Sequence, residues 1–293
     1  CWALVGEKWR LILFGSYPLA EQWRPALAAA LLAAGLVGMA LLGTGRNRAR
    51  IARAALGWGA LLALWFWLMG GGAGLSRVVS ADWGGLPMTL GLAALGLIAG
   101  SILALPLALA SLSRRLTLRV AAGMFIALFR SVPVIVLLLA ASVLLPLLLA
   151  PEWSGSKLAR ALAALIGVTA AQLAVVLRSA LFSLPAGQVE AARSLGLSTP
   201  ATLLLVQLPQ ALRIGFPAAV NVFVSTVKDT SLVLVVGLLD LTATTRLAVQ
   251  EPQWRAAAPG VYLLLAGVYF LICFPLARHA DALRQEDRPR GDP

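Results

Sequence analysis

Long apolar stretches recur along the whole of this sequence. Crossing the hydrocarbon core of a bilayer takes a helix of about 20 apolar residues. Seven stretches meet that requirement, at residues 25–44, 52–72, 86–110, 120–149, 159–184, 211–240 and 259–279. Apolar residues make up 60% of the chain and charged residues only 12%. The sequence therefore predicts an all-α integral membrane protein with about seven transmembrane helices.

Two of these stretches are longer than one straight crossing needs, and each contains a candidate break. In the stretch 120–149, the motif FRSVP places Pro133 in the middle of the apolar run. Proline removes a backbone donor and disfavours helix at the preceding Val132. In the stretch 211–240, the polar motif KDTS occupies residues 228–231. Each motif is a candidate break in its helix.

The net charge of +12 follows membrane topology. If RNRARIAR (46–53) is cytoplasmic and the sides alternate, the inner segments are 46–53, 111–119, 185–213 and 278–293. They carry 13 of the 24 Lys and Arg residues, as the positive-inside rule requires. The positive charge is then explained by topology and by attraction to the lipid bilayer, and we expect no nucleic-acid partner. Residues 1–24, with three Trp, become a periplasmic interfacial segment, and the tail 281–293 becomes cytoplasmic.

Few residues could carry out chemistry in this chain. Cys1 and Cys273 are the two cysteines, and His279 is the one histidine. No set of nucleophile, acid and base and no metal-ligand spacing is present, so we expect no catalytic residue, no metal and no cofactor bound by this chain. The sequence also lacks the G-x-x-x-x-G-K-[ST] phosphate loop of an ATPase.

A short polar segment, GQVEAARSLG (187–196), separates the fifth and sixth apolar stretches. Pro185 ends the preceding helix, and Gly196 suits a left-handed cap at the end of a short helix. Glu190 is expected toward the N-terminal end of that helix, where the helix dipole favours an acid. Ser198 or Thr199 can cap a second helix directly afterwards. The segment therefore predicts a compact, solvent-facing docking helix.

The spacing of the residues that follow is more specific. From Glu190 the sequence reads E-A-A, three residues, Gly196, nine residues, Val206, one residue, and Leu208-Pro209. This pattern resembles the EAA loop of ABC importer permeases. The resemblance implies a coupling helix that docks on a cytoplasmic ABC ATPase dimer, which holds ATP and Mg. The implied ATPase-coupling residues are Gln188, Glu190, Ala191, Ala192, Gly196, Leu208 and Pro209.

Further motifs resemble the polar amino-acid subfamily of these permeases, and most closely the M-type permease of general L-amino-acid importers. In chain order they are FRSVP, GQVEAARSLGLS, LPQALR, NVFVSTVKDTSL, VVGLLDL and YFLICF. The resemblance implies a type I ABC importer core at 86–280 with the EAA loop at 185–209, preceded by accessory transmembrane helices at 25–85. It also implies one further span upstream of Cys1.

The same resemblance implies a set of partners and a location. The expected partners are the cytoplasmic ATPase dimer, a second permease subunit that forms a heterodimer with this chain, and a periplasmic amino-acid-binding protein. The expected location is the bacterial inner membrane. The chain departs from the subfamily's A-E-x-x-R pattern, since residues 174–178 read AVVLR.

The sixth stretch carries a polar stripe. Asn221, Ser225 and Lys228 recur at i, i+4 and i+7 and so share one helical face, while Asp229 points about 100° away. Lys228 and Asp229 are therefore not expected to form a simple mutual pair. Two interpretations stay open: the helix leaves the membrane near 228, or KDTS breaks the helix beside a translocation path. The substrate-path candidates are Asn221, Ser225, Lys228, Asp229, Thr230 and Ser231.

A different class of function remains as the alternative. An ion-coupled secondary transporter of small polar solutes would need acidic residues within its spans. Asp229 is the strongest candidate, and Asp240 is expected at the outer edge of its span. Dependence of uptake on an ATPase or on an ion gradient would separate the two hypotheses.

Overall fold

The computed structural model describes residues 2–42, 48–150 and 154–286. Its helices are Trp2–Phe14 (α1), Trp23–Leu42 (α2), Arg48–Gly70 (α3), Gly85–Ser111 (α4), Leu116–Ser131 (α5), Val134–Leu148 (α6), Lys157–Phe182 (α7), Ala186–Ser194 (α8), Thr199–Val236 (α9), Leu241–Val249 (α10) and Ala258–Glu286 (α11). A two-residue strand, Leu239–Asp240, pairs in parallel with Gly84 and Gly85. The predicted all-α fold class is confirmed.

Several described helices are long and apolar enough to cross a membrane. Four pass that test, at Gly85–Ser111, Lys157–Phe182, Thr199–Val236 and Pro252–Ala282. The bent pair α5 and α6 adds a fifth if it crosses as one span. In the first two predicted spans, the apolar helical stretches are shorter than the test requires. They are Trp23–Leu36 within α2 and Leu56–Gly70 within α3. The total of about seven crossings stays a prediction.

Helices α4, α7 and α9 form the centre of the helical bundle, and small residues let them approach closely. A Cβ added to Gly100 of α4 would lie 2.8 Å from the side chain of Thr169 in α7. Thr169 and Thr226 of α9 are both buried and share a hydrogen bond of 3.1 Å between their hydroxyl oxygens. Small residues and interhelical hydroxyl bonds are the usual means of packing helices in a bilayer.

The predicted break at Pro133 is confirmed. Helix α5 ends at Ser131, Val132 is extended (φ −94°, ψ 131°), and α6 begins at Val134. The two helix axes differ in direction by 106°. Proline produces this break because it cannot donate the backbone hydrogen bond that would continue α5 and because it forces the residue before it out of the helical region.

At KDTS the helix changes type but is not interrupted. The regular α-helical part of α9 runs over Leu208–Asp229 and then tightens into a 3-10 turn over Thr230–Val236. Gly237, with φ +74°, ends the helix in the left-handed conformation. Helix α9 therefore begins before the predicted residue 211 and stops before the predicted residue 240, because apolar composition alone does not mark these turns.

The amino-terminal segment, residues 2–24, has exposed aromatic residues on one side and packs against other helices on the other. Trp2 and Trp23 are exposed, as expected of an interfacial segment, but Leu4 and Ile12 are buried. They join a cluster with residues of α10 and α11. The Nζ atom of Lys8 also lies 2.8 Å from the Oε1 atom of Glu251, just beyond α10. Helix α1 is thus fixed to α10 by apolar packing and by one ion pair.

A buried arginine joins α2 to α3 and to the segment that follows α3. Arg24 at the start of α2 is fully buried. Its Nε donates to the carbonyl of Leu68 in α3 at 2.7 Å, and its Nη1 donates to the carbonyl of Ser76 at 3.0 Å. Glu21 lies 3.5 Å from the same Nη1. The charge is tolerated in the interior because carbonyls and a carboxylate surround it.

Candidate functional site

Helix α8 carries the E-A-A motif and has a defined stop. The backbone N–H of Gly196 donates to the carbonyl of Arg193 at 2.9 Å, and that of Leu197 donates to the carbonyl of Ala192 at 3.1 Å. With Gly196 at φ +80°, these two bonds form a Schellman motif. The predicted left-handed cap at Gly196 is confirmed. It fixes where the chain leaves the helix and turns back.

The next helix begins immediately after this turn. The Oγ atom of Ser198 accepts a hydrogen bond of 3.4 Å from the backbone N–H of Ala201, and Pro200 lies in the first turn. Of the two predicted caps, Ser198 is therefore the residue that caps α9. Only a few residues separate the two helices, so α8 is held close to α9.

One side of α8 is attached to the protein and the rest is open. The helix contacts residues 199–207 at the start of α9. Ala192 is its one buried residue, whereas Gln188, Glu190 and Ala191 are exposed. The predicted solvent exposure of this helix is confirmed. Ala192 faces inward, so of the two alanines in the motif only Ala191 is available to another surface.

Glu190 lies in the middle of α8 and not near its N-terminal end. The expected position of Glu190 near the N-terminal end was wrong, because the helix already begins at Ala186, directly after Pro185. Within the described part of the chain, no ion pair involves Glu190 or Arg193. Both charged groups on α8 are therefore open to a partner.

The two remaining motif residues lie on α9. Leu208 is half-buried and Pro209 is exposed. They follow a π-helical turn at Leu203–Gln207, and Leu208 packs at the edge of the cluster between α4 and α7. This arrangement connects the surface around α8 directly to the centre of the core.

The polar stripe of α9 is also present. Asn221 and Lys228 are exposed and Ser225 is half-buried, while the neighbouring Thr226 and Val227 are buried. The side chains of the stripe make no hydrogen bond to another described residue. No ion pair joins Lys228 and Asp229 in the described chain, as expected. The stripe is a polar face turned away from the core.

The remaining path candidates do not all lie on that face. Thr230 is fully buried, and its hydroxyl donates to the carbonyl of Val227 at 2.7 Å. The hydroxyl of Ser231 donates to the carbonyl of Lys228 at 2.7 Å, and Asp229 is half-buried. The structure therefore brings Asn221, Ser225 and Lys228 together and turns Thr230 into the interior.

Sequence reasoning missed the role of Asp240. It is fully buried and caps α10, accepting hydrogen bonds from the backbone N–H groups of Thr242 (3.0 Å) and Ala243 (2.9 Å). The next residue, Leu241, donates its backbone N–H to the Oγ1 atom of Thr89 in α4 at 2.9 Å. An aspartate before a short helix is a capping signal. That signal could have identified α10.

The described residues contain no group of three or more His, Cys, Asp or Glu side chains placed to hold a metal ion. The arrangement offers instead an exposed docking helix, a polar face on α9 and a capped, buried α10. None of these holds a set of groups suited to catalysis.

A family model described as binding-protein-dependent transport system inner membrane component matches residues 96–286. The chain belongs to this family. The permease is 36% identical over 287 residues to the inner membrane amino-acid ABC transporter permease protein YhdY of Escherichia coli, covering 97% of the permease and 77% of that protein.

A second relative also matches along nearly the whole permease. It is the glutamate/glutamine/aspartate/asparagine transport system permease protein BztC of Rhodobacter capsulatus, 28% identical over 340 residues, covering 98% of the permease and 78% of that protein. Among solved structures, an amino acid ABC transporter with histidines aligns with a TM-score of 0.60 and 27% identity, covering 68% of the permease and 90% of that chain. The type I importer fold of the core is thereby established.

Proposed function

We propose that this chain is the transmembrane permease subunit of an ATP-binding-cassette importer for L-amino acids, in the bacterial inner membrane. The similarity to the amino-acid permeases YhdY and BztC supports amino acids as the substrate class. The observation that carries the proposal is α8, a helix closed by Gly196 at one end, attached to α9 on one side and exposed elsewhere.

Helix α8 acts as the docking element for a cytoplasmic ATPase dimer. ATP and Mg bind to that partner, and this chain binds no cofactor and is not itself an enzyme. The exposed Gln188, Glu190 and Ala191 meet the ATPase, and Gly196 keeps the helix in a fixed orientation. Because α8 contacts the start of α9, a displacement of α8 passes through Leu208 and Pro209 to the core helices.

The polar face of α9 lines the translocation path. A second, similar permease subunit completes that path as a heterodimer, and a periplasmic binding protein delivers the amino acid. Asn221, Ser225 and Lys228 support this role because they are polar, turned away from the core and free of hydrogen bonds to other described side chains. The tail 281–293 lies in the cytoplasm, and the positive-inside rule supports this orientation.

Substitutions on α8 test the proposal. Ala191→Trp adds a large side chain where a partner must approach, and Glu190→Ala removes an unpaired charge. Both variants should reduce co-purification of the ATPase and ATP-dependent amino-acid uptake by roughly tenfold or more, since 1.4 kcal/mol of lost contact corresponds to a factor of ten. Glu7→Ala, which removes another exposed carboxylate, from α1, is the control. Normal uptake and normal ATPase recovery in both α8 variants would refute the docking role.

A further inference from the structure

A cleft opens where α5 and α6 meet. Its volume is 490 Å³, and its walls are residues 129–134 at the helix break together with Val168 and Gln172 of α7. That volume lies within the range of roughly 300–1,000 Å³ that is typical of small-molecule sites. The cleft belongs to helices other than α9, so it is distinct from the polar stripe.

The helix break itself indicates that the cleft holds water or a solute. The 106° turn at Val132 and Pro133 interrupts the backbone hydrogen bonds between α5 and α6. Irregular backbone within a membrane protein is tolerated where it is buried in protein or lines a polar cavity. Discontinuous helices are also a recurrent feature of solute sites in transporters.

Three polar side chains in the cleft have no partner. Arg130, Ser131 and Gln172 make no side-chain hydrogen bond or ion pair with another described residue. Elsewhere in the core the hydroxyls of Thr226 and Thr230 are satisfied by neighbouring oxygen atoms. Arg130 and Ser131 are exposed and Gln172 is half-buried, so all three side chains are free to hydrogen-bond to a solute in the cleft.

The charge of the cleft selects a class of solute. Arg130 is its one ionic side chain, and no Asp or Glu is among the residues that form its walls. A guanidinium group favours a carboxylate, while the amide of Gln172 can both donate and accept hydrogen bonds. A second cation would meet repulsion from Arg130 with no acid to offset it.

We propose that this cleft binds the transported amino acid, with Arg130 on a carboxylate and Gln172 and Ser131 on the remaining polar groups. The site favours amino acids with neutral or acidic side chains over those with basic side chains. This inference rests on the proposed function and adds to it a location in α5–α7 and a substrate class.

Equilibrium binding of radiolabelled amino acids to the assembled permease–ATPase complex, without binding protein, tests the cleft. Glutamine and glutamate should bind more tightly than lysine and arginine. Arg130→Gln and Gln172→Leu should weaken glutamine binding about tenfold or more, Arg130→Lys should retain part of it, and Arg114→Gln, which changes an exposed arginine outside the cleft, should leave it unchanged. The tenfold loss corresponds to about 1.4 kcal/mol.

Cysteine labelling gives a second measurement that does not depend on affinity. In the assembled importer, Gln172→Cys should react with a water-soluble thiol reagent, and saturating glutamine should slow that reaction. Ile102→Cys, on an exposed apolar position of α4, should show no such protection. An unreactive or unprotected Gln172→Cys would overturn the inference, as would preferential binding of basic amino acids.

The outcomes separate the two proposals. If the wild-type importer takes up amino acids but binding is unaffected by Arg130→Gln and Gln172→Leu, the cleft is not the site and the proposed function stands. If the wild-type importer shows no ATP-dependent uptake of any amino acid, the proposed function fails and the cleft proposal fails with it.

Discussion

Two helices of this permease have the same length and opposite surroundings. α8 and α10 are each nine residues long. One residue of α8 is buried, but six residues of α10 are. α8 begins at Pro185 without a side-chain cap, whereas α10 begins at Asp240, whose carboxylate accepts two backbone hydrogen bonds.

The contrast shows where the chain completes its own structure and where it leaves contacts to a partner. α10 is held by Asp240, by Thr89 of α4 and by Thr244, whose hydroxyl donates to the carbonyl of Ile12 in α1 at 2.8 Å. α8 is defined by local turns, and in the described part of the chain its main contacts are with the start of α9. We therefore expect substitutions around α10 to reduce stability, and substitutions on α8 to affect coupling to the ATPase.

The largest expected effect is the difference in stability between alanine substitutions at two glycines, one beside α10 and one in α8. Gly85 has φ +67°, and a Cβ there would collide with the backbone carbonyl of Leu13 at the end of α1. Gly85→Ala should therefore destabilise the permease by at least about 3 kcal/mol, through backbone strain and overpacking. Gly187 of α8 has no heavy atom within 4 Å of the added Cβ, so Gly187→Ala should change stability by no more than about 1 kcal/mol, in the favourable direction.

Thermal unfolding of the detergent-purified permease measures both variants. A clear loss of stability in Gly85→Ala with none in Gly187→Ala sharpens the comparison. Equal losses in the two variants would show that α8 is as tightly built into the fold as the junction beside α10.

An intermediate effect is expected at the helix starts. Asp240→Ala removes the cap of α10 and should cost about 1–2 kcal/mol. Pro185→Ala removes no capping hydrogen bond and should cost less than about 1 kcal/mol, mainly through the greater freedom of the unfolded chain. Thermal unfolding under the same conditions ranks the two variants. A larger loss of stability in Pro185→Ala than in Asp240→Ala would contradict the contrast between α8 and α10.

The smallest expected effect depends on pH. Lys8 of α1 lowers the pKa of Glu251 below its ordinary value of 4.5, chiefly through their hydrogen bond. Because the pKa is depressed in the folded state, the ion pair stabilises the attachment of α1 above pH 4.5 and loses that effect as the pH falls through the lowered pKa. Both side chains are partly exposed, so salt also weakens the pair.

Thermal unfolding of the wild type and of Lys8→Met, compared across that pH range, checks this effect. The wild type should be slightly more stable near neutral pH, and the difference should vanish in acid. A difference that persists at low pH would mean that Lys8 acts through packing and not through charge.

Local sequence signals predicted α8 well. Gly196, Ser198 and Pro200 act within a few residues, so their effects on the backbone can be inferred without knowing the rest of the fold. The break at Pro133 was predictable for the same reason. The polar stripe followed from helical periodicity alone, because Asn221, Ser225 and Lys228 needed no information about neighbouring helices.

Features that depend on distant residues were not predictable in this way. The contact between Leu241 and Thr89 joins positions 152 residues apart, and nothing in the local sequence signals it. Apolar composition also merged the 3-10 turn, Gly237 and Asp240 into one long stretch. For the same reason, the packing of α1 against α10 and the burial of Arg24 became visible only in the folded chain.

The account depends on α8 facing the cytoplasm and meeting an ATPase there. Ala191→Cys and Glu7→Cys, each in a chain with Cys1 and Cys273 replaced by serine, can be treated with a membrane-impermeant maleimide. In intact cells stripped of their outer membrane, Glu7→Cys should react and Ala191→Cys should not. In inside-out vesicles Ala191→Cys should react, and bound ATPase should protect it. Labelling of Ala191→Cys from the outer side, or in vesicles regardless of bound ATPase, would contradict the docking role of α8.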